Sequence, residues 1–279
     1  MLGLADLVFV KLGGSLITNK DVEASARPEV IRRLALEMRR ALDQRSDLGL
    51  VLGHGSGSFG HRVAERYRVQ EGLGTPSRPD GGSDWRGYAL TGAAATRLNR
   101  IVTDLCLDAE LPVVSIQPSA SARCRRGEVM EMSLYPLREV LKHGLIPLVY
   151  GDVALDELCG TTIASTEAIF VYLARHLRPQ RILLLGEVEG VYTSDPRKDA
   201  LAQLIPTLQA SHIDEVESGL SGSHAVDVTG GMRSKVHWMV GLLRELPGLR
   251  VQVLSGLHPG LLETALADSQ CLAGTWITA

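Results

Sequence analysis

Six short runs made mostly of Val, Ile and Leu punctuate the chain, at residues 7–12, 48–52, 113–116, 146–150, 182–185 and 251–254. Each is too short for a typical helix. Each is apolar almost throughout and not at alternate positions, which is the pattern of a strand buried on both faces. Between the first two runs, residues 28–44 place Ile31, Leu34, Met38 and Leu42 at helical spacing, with Arg and Glu on the other side and Pro28 suited to a first turn. Further helices are expected from near residue 60, over about 91–109, and over 134–143, 165–177 and 231–246. Apolar strands alternating with helices predict an α/β fold, a three-layer αβα sandwich around an open, mainly parallel sheet. The Gly/Pro/Ser-rich stretch 72–83, within a longer loop at 72–87, reads as a surface connection or a lid. No repeat of solenoid length is visible.

Charge excludes some functions. The 279 residues carry 29 Lys+Arg against 32 Asp+Glu, a net charge of -3. No long basic run is present, and the group Arg123, Arg125, Arg126 is too short to neutralise a nucleic-acid backbone. An apolar content of 45% argues against disorder. No stretch is long and apolar enough to span a bilayer, and the N-terminus does not read as a secretion signal, so a cytoplasmic location is expected. Cys106, Cys124, Cys159 and Cys271 are far apart in sequence and are expected to be reduced structural thiols. No protein metal centre is expected.

Aromatic residues make up only 4% of the chain, whereas glycines number 29, and the glycines are not scattered. They gather at Lys11-Leu12-Gly13-Gly14-Ser15, from Gly53 to His61, from Gly186 to Gly190, and at Thr229-Gly230-Gly231-Met232. Each cluster follows an expected strand or opens an expected helix. There, glycine lets backbone N–H groups approach an anion, and a helix start adds a positive dipole end. Ligands of open parallel sheets bind beyond the carboxyl ends of the strands. Repetition of the device points to a ligand with several phosphates. Gly55 to Gly60 matches G-x-G-x-x-G, but the acidic ribose partner of a dinucleotide site would fall at Asp80, inside the Gly/Pro/Ser loop. Neither a P-loop nor the protein-kinase motif set is present. What remains is a phosphate surface built from glycine loops with Lys11, Lys20 and Lys235 beside them.

These motifs resemble the amino acid kinase superfamily, through K-x-G-G-S at Lys11 to Ser15, G-V-Y-x-x-D-P at Gly190 to Pro196 and T-G-G-M-x-x-K at Thr229 to Lys235. The stretch His54 to His61 is similar to the H-G-G-G-S-F-G-H signature of the isopentenyl phosphate kinase branch, and so are Gln117-Pro118-Ser119 and Tyr150-Gly151-Asp152-Val153. The resemblance implies one domain over residues 1–279, with an acceptor-binding lobe over about 1–178 and a nucleotide-binding lobe over about 179–279. It implies transfer of the γ-phosphoryl group of ATP, with Mg²⁺, to isopentenyl phosphate, in a cytoplasmic homodimer.

It also assigns roles. Lys11 and Lys235 would bridge the transferring and leaving phosphates, Lys20 would add charge, and Glu167 would orient the lysines. His61, with Gly55, Ser56 and Gly160, would hold the acceptor. Gly13, Gly14, Ser15, Gly57, Gly190, Tyr192, Asp195 and Gly231 would border ATP. His54 is expected to be a structural strand-end residue. Four positions depart from the family pattern: Ser56 replaces a middle glycine, Glu167 stands where Asp is commoner, Gly186-Glu187 replaces Thr-Asp, and Thr91-Gly92 replaces Thr-His. The same loop leaves open a phosphonate acceptor, as in fosfomycin kinase, or another small acid such as glutamate or carbamate. A nucleotide sensor that has lost transfer is also left open.

Overall fold

The computed structural model describes residues 6–72, 85–210 and 231–279. Most of the Gly/Pro/Ser stretch, Asp80, Thr229 and Gly230 lie outside the described residues. The first half of the chain runs β1 (Asp6–Leu12), α1 (Gly14–Ile17), α2 (Pro28–Gln44), β2 (Leu48–His54), α3 (Gly57–Arg66), α4 (Trp85–Asp108), β3 (Val113–Ser115), β4 (Arg123–Arg125) and β5 (Glu128–Glu131). The second half runs α5 (Tyr135–Lys142), β6 (Ile146–Tyr150), β7 (Asp152–Asp156), β8 (Gly160–Ala164), α6 (Thr166–Leu177), β9 (Arg181–Gly186), β10 (Thr207–Gln209), α7 (Gly231–Glu245), β11 (Arg250–Ser255), α8 (Leu261–Ala267) and β12 (Thr275–Thr278).

The main sheet has the order β10-β12-β11-β9-β1-β2-β6-β3. All six expected strands lie in it, and each neighbouring pair among them is parallel. Only β12 against β11 is antiparallel, with β10 parallel to β12 at the edge. The centre of the sheet is buried on both faces because β1 splits its side chains between two cores. Leu7 and Phe9 join Leu137 of α5, Ile169 of α6 and Met239 of α7 on one face. Val8, Val10 and Leu12 join Ile31 of α2, Leu98 of α4 and Leu262 of α8 on the other. The Phe9 and Phe170 rings meet at 5.1 Å, and truncating a fully buried Phe to Ala costs about 3–5 kcal/mol.

Besides the unexpected β10, α8 and β12, three features differ from the sequence reading. First, α4 begins at Trp85 and α3 at Gly57, so residues 85–87 are helical instead of loop. Gly87 reads as a breaker, but a Cβ there would stand 2.5 Å from Tyr67 Cβ, so this glycine serves close packing. Second, a short helix, α1, follows β1 directly and buries Leu16 and Ile17. Third, a separate four-stranded sheet, β5-β4-β7-β8, was not legible.

The 24-residue α4, about 36 Å long, ties these layers together. Its Asn99 side chain bonds His54 and Ser115, and Thr96 bonds the Tyr150 hydroxyl, all at strand ends. The turns before Thr96 therefore rise past the carboxyl edge of the main sheet, where β7 begins after Gly151 and β8 returns to end at Ala164. A cleft lies between them.

Candidate active site

Two glycine loops meet at the carboxyl ends of β1 and β2. A Cβ on Gly14 would stand 2.7 Å from Gly57 N, and one on Gly55 would stand 2.9 Å from Gly14 N. Gly57 also has φ +49, a conformation that side chains disfavour. Thr18 braces the contact: its hydroxyl donates to Gly14 O at 2.7 Å and accepts from the Ser58 N–H at 3.0 Å. The Gly13 N–H is spent on Leu185 O (2.8 Å) and the Gly55 N–H on Leu12 O (3.0 Å), so these two amides hold the loops in place. Gly14, Ser15 and Gly57 stand at helix starts, where N–H groups lack intrahelical partners.

Lys11, buried at the end of β1, places Nζ 2.5 Å from Glu167 Oε1. Glu167 lies in the first turn of α6, whose start is fixed by the Ser165 hydroxyl accepting from the Ala168 N–H at 3.1 Å. Burial alone would raise the Glu167 carboxyl. The charges of Lys11 and Lys235, with the Lys11 hydrogen bond, outweigh it and hold the group below the usual carboxylate range. An ionised Glu167 thus contacts a lysine from β1 and feels the charge of a partly buried lysine from α7, 224 positions away from Lys11 in the chain (235 − 11).

Lys20 is placed differently. It is exposed, and its Nζ stands 3.2 Å from Glu187 Oε2. Glu187 also receives Arg27 at 3.7 Å and Arg197 at 3.2 Å. The acid standing in place of the family's Thr-Asp pair therefore gathers three cations at the rim.

His61, half-buried on α3, lines the cleft beside Ser56 and Gly60, with Thr91 and Ala95 of α4 opposite. The β7–β8 hairpin contributes Asp152, Val153 and Ile163. Burial raises the Asp152 carboxyl, although bonds from Ser119 and the Val153 N–H oppose this. Gly160 is not brought to the cleft. It pairs with Asp156 at the far turn of the hairpin, whereas the lining comes from the near end, where Asp152 pairs with Ala164. His54 is fully buried, stacks on Tyr150 at 5.5 Å and bonds Asn99, as a structural residue would.

In the expected nucleotide segment, Gly190 is packed so tightly that a Cβ would stand 2.8 Å from Leu204 Cδ1. The Tyr192 hydroxyl donates to Glu189, and Asp195 accepts from the Arg197 N–H. Gly231 begins α7. The residues missed in the sequence are Thr18, Thr91 and Asp152. Of these, Asp152 and Thr91 had a signal, since Tyr150-Gly151-Asp152-Val153 is one of the family-like motifs and Thr91-Gly92 is one of the departures from the family pattern.

The pattern that defines the Amino acid kinase family matches residues 6–255. The chain belongs to the amino acid kinase family. Within it, this kinase falls in the isopentenyl phosphate kinase branch. A protein of that name from Methanothermobacter thermautotrophicus is 34% identical over 98% of this chain and 99% of its own. Another, from Methanocaldococcus jannaschii, is 32% identical over 82% of this chain and 85% of its own. A crystal structure of an isopentenyl phosphate kinase matches with a TM-score of 0.81 and 32% identity, over 98% of this chain and 100% of that one. The likeness therefore runs along nearly the whole chain, in fold as well as in sequence, and not through one motif alone.

Proposed function

We propose that this kinase moves the γ-phosphoryl group of ATP to isopentenyl phosphate. The carrying observation is that the buried Lys11–Glu167 pair and a cleft lined by both polar and apolar side chains lie at the joined glycine loops. Ser56, His61, Thr91 and Asp152 are its polar lining, and Ala64, Ala95, Val153 and Ile163 are apolar lining suited to a hydrocarbon tail. Among the described residues, the lining holds no Lys or Arg to receive the carboxylates of glutamate.

An oxygen of the acceptor's phosphate attacks the γ-phosphorus, forming one O–P bond as the bond to the β-phosphate oxygen breaks and ADP leaves. A phosphate monoester is already largely anionic at neutral pH, so the site needs no strong base. It needs charge neutralisation and alignment. Lys11 and Lys235, aimed by Glu167, sit where the transferring and leaving oxygens accumulate charge. Gly14, Ser15 and Gly57 offer amides to the phosphates, and His61 donates to the acceptor. Lys20 is held on Glu187 by an exposed ion pair that costs little to exchange for phosphate. Residues 190–195 and the start of α7 border the nucleotide, in a lobe from about residue 179 onward; the acceptor lobe precedes it.

Mg²⁺ would travel on the phosphate oxygens of ATP, since Glu167 is committed to lysines. The family resemblance supports a homodimer in the cytoplasm; no described helix is long and apolar enough to cross a membrane. Phosphorus NMR of purified protein with MgATP and isopentenyl phosphate tests the reaction. Paired diphosphate resonances of isopentenyl diphosphate alongside ADP are expected. ATP and monoester that persist unchanged would overturn the substrate assignment.

A further inference from the structure

Among the described residues, the buried side-chain atoms without a hydrogen-bond partner are Ser58 Oγ, Thr91 Oγ1, Arg181 Nε and Gln252 Oε1. Only Thr91 also lines the cleft that holds His61. Its side chain is 3% exposed, and its hydroxyl is its whole polar content. A helical threonine commonly returns its hydroxyl to the carbonyl four residues back. Thr103, on the same helix, does so, donating to Asn99 O at 2.7 Å. Thr91 does not. A buried polar group left unpaired in this way is costly and calls for a reason.

We propose that Thr91 is a further acceptor-binding residue, its hydroxyl donating to an oxygen of the acceptor's phosphate ester. This rests on the reading of the acceptor as a phosphate monoester. The hydrogen bond falls to the phosphate end because an isopentenyl tail carries no other oxygen. Among the polar groups of the cleft, Asp152 cannot serve an anion: its Oδ2 accepts from the Ser119 N–H at 3.1 Å and its Oδ1 from the Val153 N–H at 2.9 Å. Thr91 stands four residues before Ala95, on the same face of α4, and both line the cleft. Its hydroxyl is a neutral donor, opposite Ser56 and His61.

The test uses the full chain carrying Thr91→Val, which keeps the shape and removes the hydroxyl, and Thr91→Ser, which keeps the hydroxyl. Affinity is measured by calorimetry for isopentenyl phosphate and for methyl phosphate, a monoester with almost no tail, and thermal midpoints are taken without ligand. Thr91→Val is expected to weaken both monoesters by about ten-fold, and Thr91→Ser by less than about three-fold. The KM for ATP should not move, and the ligand-free midpoint of Thr91→Val should be unchanged or higher. Unchanged monoester affinity in Thr91→Val, or a lower midpoint with affinity intact, would overturn the proposal in favour of a structural hydroxyl. If the unsubstituted protein binds methyl phosphate but not isopentenyl phosphate, the tail assignment fails and the effect of Thr91→Val on methyl phosphate still decides. If it binds neither, both readings fall.

Discussion

At the scale of single residues, the site is organised by one buried carboxylate. Glu167 stays ionised because two lysines outweigh the burial that would neutralise it, and in return its 2.5 Å contact fixes where Lys11 points. Glu167→Gln keeps the volume and removes the charge. We expect kcat to fall by about 10²-fold or more with a smaller change in substrate KM, because the lost interaction is expressed mainly as charge moves in the transition state. Steady-state kinetics on the variant checks this, and near-normal kcat would remove Glu167 from the scheme. His61→Ala should keep its fold, judged by circular dichroism, while the KM for isopentenyl phosphate rises by about 10-fold or more through loss of a charge-assisted hydrogen bond. The lysines beside glycine clusters were legible in the sequence. That Lys11 meets Glu167 was not a matter of spacing, since 156 positions separate them, and only the family resemblance suggested it. The attachment of Lys20 to Glu187 had no signal at all, because exposed ion pairs form between residues that the fold happens to bring near.

At the scale of elements, the decisive feature is the contact between two glycine loops, which holds the ends of β1 and β2 together where the phosphates are proposed to bind. Gly14→Ala would force a methyl group to within 2.7 Å of the Gly57 nitrogen, so one loop must shift. We expect this to destabilise the protein by about 1–3 kcal/mol and to raise the KM for ATP, measured by urea unfolding and initial rates. Six of the eight described strands of the main sheet were readable because each is a dense apolar run, whereas β10 and β12 at one edge are short and mixed in polarity. The second sheet was not: β4 and β5 alternate buried and exposed residues over three or four positions, too few to separate a strand from a loop. The start of α4 was hidden by Gly87, whose role is packing against Tyr67 and not chain reversal. Gly160 was misplaced for a related reason. It turns the β7–β8 hairpin at φ +78, and a glycine at a turn cannot be told from a glycine at a ligand without the fold.

At the scale of the whole molecule, the two cores share one sheet, so unfolding is expected to be cooperative and to depend on groups buried at the strand ends. Burial lowers the His54 pKa below 6.5, with the Lys11 charge adding to it and the bonds to Gly55 and Asn99 opposing. The unfolded chain therefore takes up the proton first, and stability is lost as pH falls below about 6.5. Urea midpoints across this range should show that slope, and His54→Gln should flatten it; an unchanged slope in the variant would assign the effect elsewhere. In the proposed function, the nucleotide would lie beyond the carboxyl edge of the parallel sheet, beside the lysines and the acceptor cleft. The most direct test of that assembly is kcat/KM for ADP release with MgATP and a panel of acceptors: isopentenyl phosphate, dimethylallyl phosphate, fosfomycin, glutamate and carbamate. The isoprenyl monophosphates should exceed every other acceptor by about 10²-fold or more, since the apolar walls and His61 act together only on them. A preference for fosfomycin, glutamate or carbamate would contradict the proposed acceptor.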